Sequence, residues 1–530
     1  MNLGLTGTGE LARLVLRRDR VRLPAWVLGL GGLVAWSAVG VQSVYDTPAK
    51  VAGYAATVGT SPVSRLMSGR QAGIDTIGGI TANEISQVAQ LGVCLMVAFL
   101  VVRHTRGDEE AGRSELVRSG VVGRHAATLT ALLYAVAAAV AVGGITAASM
   151  LGVGLGTAGS VAYAVGLVLL GACFAAVALV AAQLTSTART ALALAGAAVG
   201  VAYLVRGLGA IRDDALVWLS PFGWAQEMQA FGTERWWPAG LLVVATAALL
   251  VAAAWLETRR DHSGALLHPR PGPARASRWL ASPFALVLRV QRGALVGWVV
   301  GLAALAVIYG AVIPTIPHLL ASNPEIGQYI GASGSAQEGL VDAFVRYVLL
   351  FLAVVSTAFG VACVTRLHGE EESGRGGLVL AAAVPRTRWV GATVAVACAG
   401  SLLLLLASGL GLVVGYVLGG GEGVSPTGVV GGQLSYLPAV LVVVGVAVLL
   451  VGARPRAVPL AWVVVGAVAV LALLGQSLGL PEGVERVSPF AVLPGVPVEP
   501  FDPVPGGVEL VVVAALVAGG TWAYRRRDLG

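Results

Sequence analysis

The sequence contains a single lysine. Lys50 stands among 35 basic side chains, and every other one is arginine. A phosphate-binding loop of the Gly-x-x-x-x-Gly-Lys-Ser/Thr type needs a lysine to reach nucleotide phosphates. Lys50 sits in Ala49-Lys50-Val51, outside any such glycine frame, so the chain carries no loop of that kind. Charge of either sign is scarce: Asp, Glu, Lys and Arg make up 12 % of the 530 residues, against roughly 25 % in soluble domains. The four cysteines, Cys94, Cys173, Cys363 and Cys398, all lie in apolar stretches. They have neither metal-ligand spacing nor an obvious pairing, and read as small buried side chains. The six histidines (His104, His125, His262, His268, His318 and His368) are scattered without zinc spacing, which removes the clustered groups a membrane enzyme needs. Carboxylates are missing from the middle of the apolar runs; Glu84, Glu257, Asp342 and Glu509 fall at run ends. Ion-coupled carriers place such groups inside the membrane, so this absence weighs against a secondary transporter of the major-facilitator kind.

What fills the chain is apolar. Hydrophobic residues make up 56 % and the mean hydropathy is +0.81. A helix needs about 20 apolar residues to cross a bilayer, and twelve such runs are present. They span roughly 25–44, 84–102, 126–150, 161–183, 190–207 and 238–256, then 294–313, 346–364, 390–418, 434–452, 458–478 and 508–524. The first run follows arginines but is long enough to span, so it is expected to be a membrane helix and not a cleaved leader. Loop arginines give the orientation, because short cytoplasmic loops are enriched in them. With the N-terminus inside, the cytoplasmic pieces hold 27 of the 35 basic residues. Both ends are then cytoplasmic. The net charge of +7 is spread over many short loops, which argues against nucleic-acid binding. The arginine, alanine, valine, glycine and leucine bias points to a high-G+C bacterium and its cytoplasmic membrane.

The chain repeats itself. Asp108-Glu109-Glu110-Ala111-Gly112-Arg113 returns as Glu370-Glu371-Glu372-Ser373-Gly374-Arg375, 262 positions on. Ser220-Pro221-Phe222 returns as Ser488-Pro489-Phe490 at 268, and Arg259-Arg260-Asp261 as Arg526-Arg527-Asp528 at 267. Arg17, Arg20, Trp26 and Gly29 match Arg289, Arg292, Trp298 and Gly301 at 272. Ordered markers at near-constant spacing mean a duplicated unit. The expected fold is all-α and integral to the membrane, with two tandem six-helix bundles. Six crossings per unit make the repeat parallel. The first half is expected over 1–256, a cytoplasmic linker rich in Arg and Pro over 257–283, and the second half over 284–530. Long outer loops are expected at about 45–83 and 314–345.

Several motifs have two readings at this stage. The acidic loop after the second helix of each half is either a solvated loop or a docking element. Glu109 with Arg113, and Glu371 with Arg375, stand at i,i+4, a spacing that supports a short helix. Gly112 and Gly374 would weaken that helix, which suggests a turn or a close approach. Leu11 to Arg22 reads as an amphipathic helix on the inner surface, or as a topology anchor. Ser220-Pro221-Phe222 and Ser488-Pro489-Phe490 are turn punctuation or exit-lining segments. Gln87, Gln90 and Gln183 bridge helices or contact a substrate. Arg206 is expected near the outer interface, partnered by Asp213 or Asp214.

The acidic loops, each followed by Leu-Val and then by Gly123-Arg124 or Pro385-Arg386, resemble the first cytoplasmic loop of type-2 ABC export permeases. The resemblance covers the whole chain, including Trp218-Leu219-Ser220-Pro221-Phe222-Gly223-Trp224 before the sixth helix. It is nearest to the fused twelve-helix permeases of actinobacterial polyketide antibiotic and multidrug export. It implies a transport subunit without catalytic residues, metal or cofactor, powered by two copies of a separate ATPase that bring ATP and magnesium. It places Glu109, Glu110, Gly112, Arg113, Glu371, Glu372, Gly374 and Arg375 at the ATPase contact. It gives the Ser-Pro-Phe segments a re-entrant position at the exit and implies hydrophobic cargo such as antibiotics, drugs or lipid-like compounds. An ABC exporter of lipid or polysaccharide is the neighbouring alternative. The second loop departs at Gly376-Gly377, where the first has Ser114-Glu115, so unequal contacts are expected.

Overall fold

The computed structural model describes residues 4–59, 62–70, 72–260, 266, 275–315, 334–382, 384–421, 425–474, 481–496 and 499–527. All regular structure among them is helical. Twelve of these helices are long and apolar enough to cross a membrane, and each overlaps one of the twelve apolar runs. The chain divides into two compact units, Met1–Gly272 and Pro273–Gly530, a division that falls inside the expected linker. About half of that linker, most of the 314–345 loop, and His262, His268, His318, Asp261 and Asp528 lie outside the described residues.

In the first unit a short helix α1 (Thr8–Arg18) precedes the first long one, α2 (Arg22–Val44). The helices α3 (Pro48–Val58) and α4 (Pro62–Ser68) lie in the first outer loop. Then follow α5 (Ile77–His104), α6 (Arg106–Glu110), α7 (Arg113–Arg118), α8 (Ala126–Gly152), α9 (Thr157–Leu184), α10 (Ala188–Arg212), α11 (Pro221–Gln226) and α12 (Trp237–Arg259). The second unit holds α13 (Pro283–Val312), α14 (Gly334–Glu372), α15 (Arg375–Leu380), α16 (Arg386–Leu418), α17 (Pro426–Ser435), α18 (Leu437–Ala453), α19 (Leu460–Leu474), α20 (Glu482–Glu485), α21 (Pro489–Val492) and α22 (Pro503–Arg526).

Several long helices start earlier than hydropathy alone places them, where side-chain caps satisfy their first amides. The Thr76 hydroxyl accepts from Gly79 N at 3.0 Å and starts α5 at Ile77. Ser282 caps α13 at Ala285 N, 3.2 Å, with Pro283 at the first position, where a missing N–H is harmless. Asp502 caps α22 in the same way. The early starts correct one expectation: Glu84 and Glu509 stand about two turns inside α5 and α22, not at helix ends.

Each unit has its own core. In the first, Ile85, Val93, Met96 and Val97 of α5 pack with Leu170, Phe174 and Leu179 of α9. In the second, Leu352 and Phe359 of α14 pack with Leu404 and Leu405 of α16 and with Val444 of α18. Helices α13 and α16 touch backbone to backbone. A Cβ on Gly411, Gly415 or Gly419 would lie 2.7, 2.0 or 2.6 Å from the carbonyls of Ala303, Val307 and Ala311. Such a row of small residues, here three glycines at four-residue spacing, is how membrane helices pack closely without a hydrophobic driving force. Outward rows such as Val243, Val244, Val251 and Trp255 of α12 remain exposed, as a hydrocarbon surround requires.

Candidate functional site

The acidic loops fold alike in both units. In the first, α6 ends at Glu110 and α7 begins at Arg113, with Gly112 between them at φ 70°. In the second, α14 ends at Glu372 and α15 begins at Arg375, after Gly374 at φ 72°. A Cβ on either glycine would meet nothing within 4 Å. Glycine is therefore set by the left-handed backbone, not by crowding.

These turns redirect the ion pairs. The i,i+4 pairing expected from the sequence does not form, because the helix stops before the arginine. Arg113 instead reaches back to Asp108, at 2.8–2.9 Å, and Arg375 to Glu370 at 2.6 Å. Glu109 points inward. It accepts from Arg106 Nη1 at 2.7 Å and from Arg260 Nη1 at 2.9 Å, with a second bond from Arg260 Nη2. At the equivalent place Glu371 accepts from Arg527. Each acidic loop is thereby tied to the end of the last long helix of its own unit. A further arginine strengthens the tie: Arg124 Nη2 donates to the Glu257 carbonyl and Arg386 Nη1 to the Arg527 carbonyl, both at 2.6 Å. Cations satisfy orphan carbonyls at helix C-termini and complement the dipole there.

The remaining acids have different partners. Glu110 accepts from Ala188 N at 2.9 Å, at the start of α10. Glu372 lies 3.2 Å from His368 Nε2. In the first unit alone, buried Asp19 joins α1 to the loop: it contacts His104 Nε2 at 2.8 Å and Arg103 at 3.1 Å. Burial pushes the Asp19 carboxyl up, but His104 and Arg103 outweigh it and hold the carboxyl below its usual range. Arg18 adds a bond to Asp108 at 3.0 Å. The counterpart of Asp19 at spacing 272 is Gln291, which bonds the Cys363 carbonyl at 3.4 Å. The two loops are thus alike in their turn and tie but unequal in their support. Helix α1 is a separate helix with Val15 buried and Leu14 exposed.

What the loops leave exposed is apolar as well as polar. Gly112, Arg113, Gly374 and Arg375 are exposed, and so are Leu116 and Leu378, each 78 % accessible. These two leucines are 262 positions apart, at one equivalent place on α7 and α15.

The Ser-Pro-Phe segments are packed inward. Ser220 is buried, donates to the Ala202 carbonyl at 2.7 Å and caps α11. Pro221 takes the first position of α11. Phe222 is fully buried between Phe174 and Tyr203, with ring centres 5.2 and 5.5 Å away. In the second unit Ser488 is buried without a hydrogen-bond partner, Pro489 starts α21, and Phe490 lies 6.0 Å from the Tyr436 ring. The three glutamines are separated. Gln90 is buried midway along α5 and accepts from Gln226 Nε2 at 3.1 Å. Gln87 is half-buried on the same helix. Gln183, at the far end of α9, lines a different cavity of about 110 Å³ with Arg106 and Glu109. Arg206 departs from expectation. Arg70 takes Asp213, at 2.8 Å, and Asp214 caps the next turn. Arg206 therefore turns to the Met67 carbonyl at 3.0 Å and the Tyr203 ring at 4.2 Å.

With this geometry in place, two comparisons bear on identity. The model of the family described as "Multidrug efflux system permease Rv1217c, C-terminal domain" matches residues 280–525. The chain is also 40 % identical, over 531 residues, to the multidrug efflux system permease protein Rv1217c of Mycobacterium tuberculosis, spanning 99 % of this chain and 96 % of that protein. The chain belongs to this family of multidrug efflux permeases.

Two features of this permease were not drawn from its sequence. Leu116 and Leu378 are the leucines of the repeated Leu-Val, and an apolar residue kept at the same place in two charged loops is the signal that could have found them. The polar partner of Gln90, Gln226, comes from α11, 136 positions along the chain, and no spacing rule links them.

Proposed function

We propose that this permease is the membrane-spanning subunit of an ATP-driven ABC exporter of hydrophobic compounds, powered by a separate ATPase that docks on the two acidic loops. The observation that carries this reading is the repeated loop: a glycine turn, an ion pair to the last helix, and an outward leucine at the same place in both units. A surface meant only to dissolve has no use for an exposed leucine held on an ion-paired frame. Glu109 and Glu371 set the pose of each loop from inside. Gly112, Arg113 and Leu116, with Gly374, Arg375 and Leu378, offer the contact, and Glu110 and Glu372 lie at its rim. Closure of two ATPase copies around ATP and magnesium would push both loops, and the ties to Arg260 and Arg527 would pass that push to the last helix of each unit. The Ser-Pro-Phe segments would stand at the exit.

The test is affinity capture of the tagged permease from its native membrane. A soluble protein with a phosphate-binding loop is expected to copurify, and the Leu116→Asp/Leu378→Asp variant is expected to lose it while remaining folded, since both leucines are exposed. A folded variant that keeps its companion and still transports refutes the docking assignment.

One observation favours an ion-coupled reading instead. Glu509 is buried in α22, with no hydrogen-bond partner on either carboxylate oxygen, and an acid inside a span is a functional candidate by default. Vesicles holding the permease alone that pump cargo on a proton or sodium gradient, and stop doing so on Glu509→Gln, would establish that reading.

A further inference from the structure

A cavity of about 40 Å³ lies within the first unit, between α5, α9 and α11. Its wall is polar, with Asn83, Ser86, Gln90, Tyr163, Gln226 and Gln229 among the lining residues. Gln226 Nε2 donates to Gln90 Oε1 at 3.1 Å, and the Tyr163 hydroxyl lies 3.4 Å from Ser86 Oγ. Asn83 Nδ2 donates to the Tyr54 hydroxyl at 2.8 Å. Arg70, also in the lining, is ion-paired with Asp213 at 2.8 Å and with buried Glu227 at 3.0 Å. The oxygen of the same Gln226 amide, Oε1, is buried and has no partner. Gln90 stands 13 residues into α5, or about 20 Å along it at 1.5 Å per residue. The cavity therefore reaches deep into a membrane-spanning bundle, where polar groups are expensive and mark function.

The second unit shows that the fold does not need this polarity. At spacing 262, Asn83, Ser86 and Gln90 correspond to Val345, Val348 and Leu352. Val348 and Leu352 are fully buried in the apolar core of that unit. The same helix in the same repeat packs with aliphatic residues, so the polar face of α5 serves something other than packing. The cavity is too small for a drug-sized molecule and large enough for one small group or a few waters. Its amides and hydroxyls and its unmet acceptor suit a group that brings an N–H or O–H.

We infer that this cavity is a hydrogen-bonding subsite, present in the first unit only, for an amine, amide or hydroxyl donor carried on an otherwise apolar transported compound. It rests on the efflux reading for the statement that its ligand is cargo. Ser86 and Gln90 shape the subsite and Gln226 Oε1 accepts the donor, while the apolar remainder of the compound lies outside.

The test uses the purified permease in lipid nanodiscs, without any ATPase, so the outcome stands apart from the question of ATP coupling. Two large lipophilic cations serve as probes: ethidium, which carries two aryl amines, and tetraphenylphosphonium, which has no donor. Gln90→Leu and Ser86→Val install the residues that the second unit carries. Each is expected to weaken ethidium binding about five-fold, the worth of one hydrogen bond, and to leave tetraphenylphosphonium unchanged. If Gln90→Leu does not fold, Gln226→Met removes the acceptor from a half-buried position and carries the same expectation. Equal loss of both probes, no loss of either, or a wild-type permease that does not bind ethidium overturns the assignment.

Discussion

Glu109 and Arg260 form a two-bond ion pair between the acidic loop and the end of the sixth long helix of the first unit. Glu371 and Arg527 repeat it in the second. The Arg260 and Glu109 side chains are 7 % and 11 % accessible, so neither charge is well hydrated if the other is removed. Deleting one partner of such a buried pair destabilises by about 3 kcal/mol. We expect Glu109→Gln and Arg260→Gln each to lower the thermal midpoint of the detergent-purified permease. The double variant should be no worse than the poorer single, with a coupling energy of about 1–3 kcal/mol. Strict additivity of the two losses would show that the pair does not act as a unit.

The turns at Gly112 and Gly374 make a second prediction. At φ 70° and 72°, an L-residue with a Cβ is strained by about 1 kcal/mol. With nothing within 4 Å of a Cβ at either place, Gly112→Ala should cost only that backbone strain. Gly112→Asn should cost less, because asparagine tolerates the left-handed region. Thermal unfolding ranks the three chains. A loss well above 1 kcal/mol for alanine would point to a contact the turn itself does not explain.

Much of this architecture was legible in the sequence, and the limits are physical. Twelve apolar runs gave twelve helices because a membrane helix must satisfy its own backbone, so hydropathy reads it directly. The first turns of α5, residues 77–83, are hidden from a hydropathy reading by Gly78, Gly79, Thr81 and Asn83, and only the Thr76 cap reveals its start. The acidic loops were visible as repeated letters, but not their wiring. Spacing suggested Glu109 with Arg113, while the glycine turn sends Arg113 to Asp108 and frees Glu109 for Arg260, a partner 151 positions away. Arg206 was misassigned for a similar reason: Arg70, from the first outer loop, already holds Asp213.

Close contact between α13 and α16 gives a third prediction. A Cβ at position 415 would lie 2.0 Å from the Val307 carbonyl, and a backbone carbonyl cannot move aside cheaply. Gly415→Val should therefore prevent the second unit from packing, seen as loss of monodisperse protein on size exclusion. Gly301 on α13 has nothing within 4 Å of its Cβ position, so Gly301→Ala should be tolerated and gain up to about 1 kcal/mol of helix propensity. Equal tolerance at both positions would mean that α13 and α16 do not meet along the 411, 415, 419 row.

Acid should weaken the first unit through Asp19. Its carboxyl lies below the usual value of 3.8, since His104 and Arg103 outweigh the effect of burial. A carboxyl depressed in the folded state holds its proton less readily there than in the unfolded chain. Its stabilisation is therefore complete above about pH 4 and is lost as pH falls through the folded value. Other carboxylates titrate in the same window, so the informative quantity is the difference from Asp19→Asn, which has no proton to take up at that position. The variant should be less stable than wild type at pH 7, because Arg103 keeps its charge beside a neutral amide, and the gap should narrow as pH drops below 4. Thermal midpoints of both chains from pH 7 to pH 3 measure it. A gap that stays constant over that range would mean Asp19 contributes through its shape and hydrogen bonds, and not through its charge.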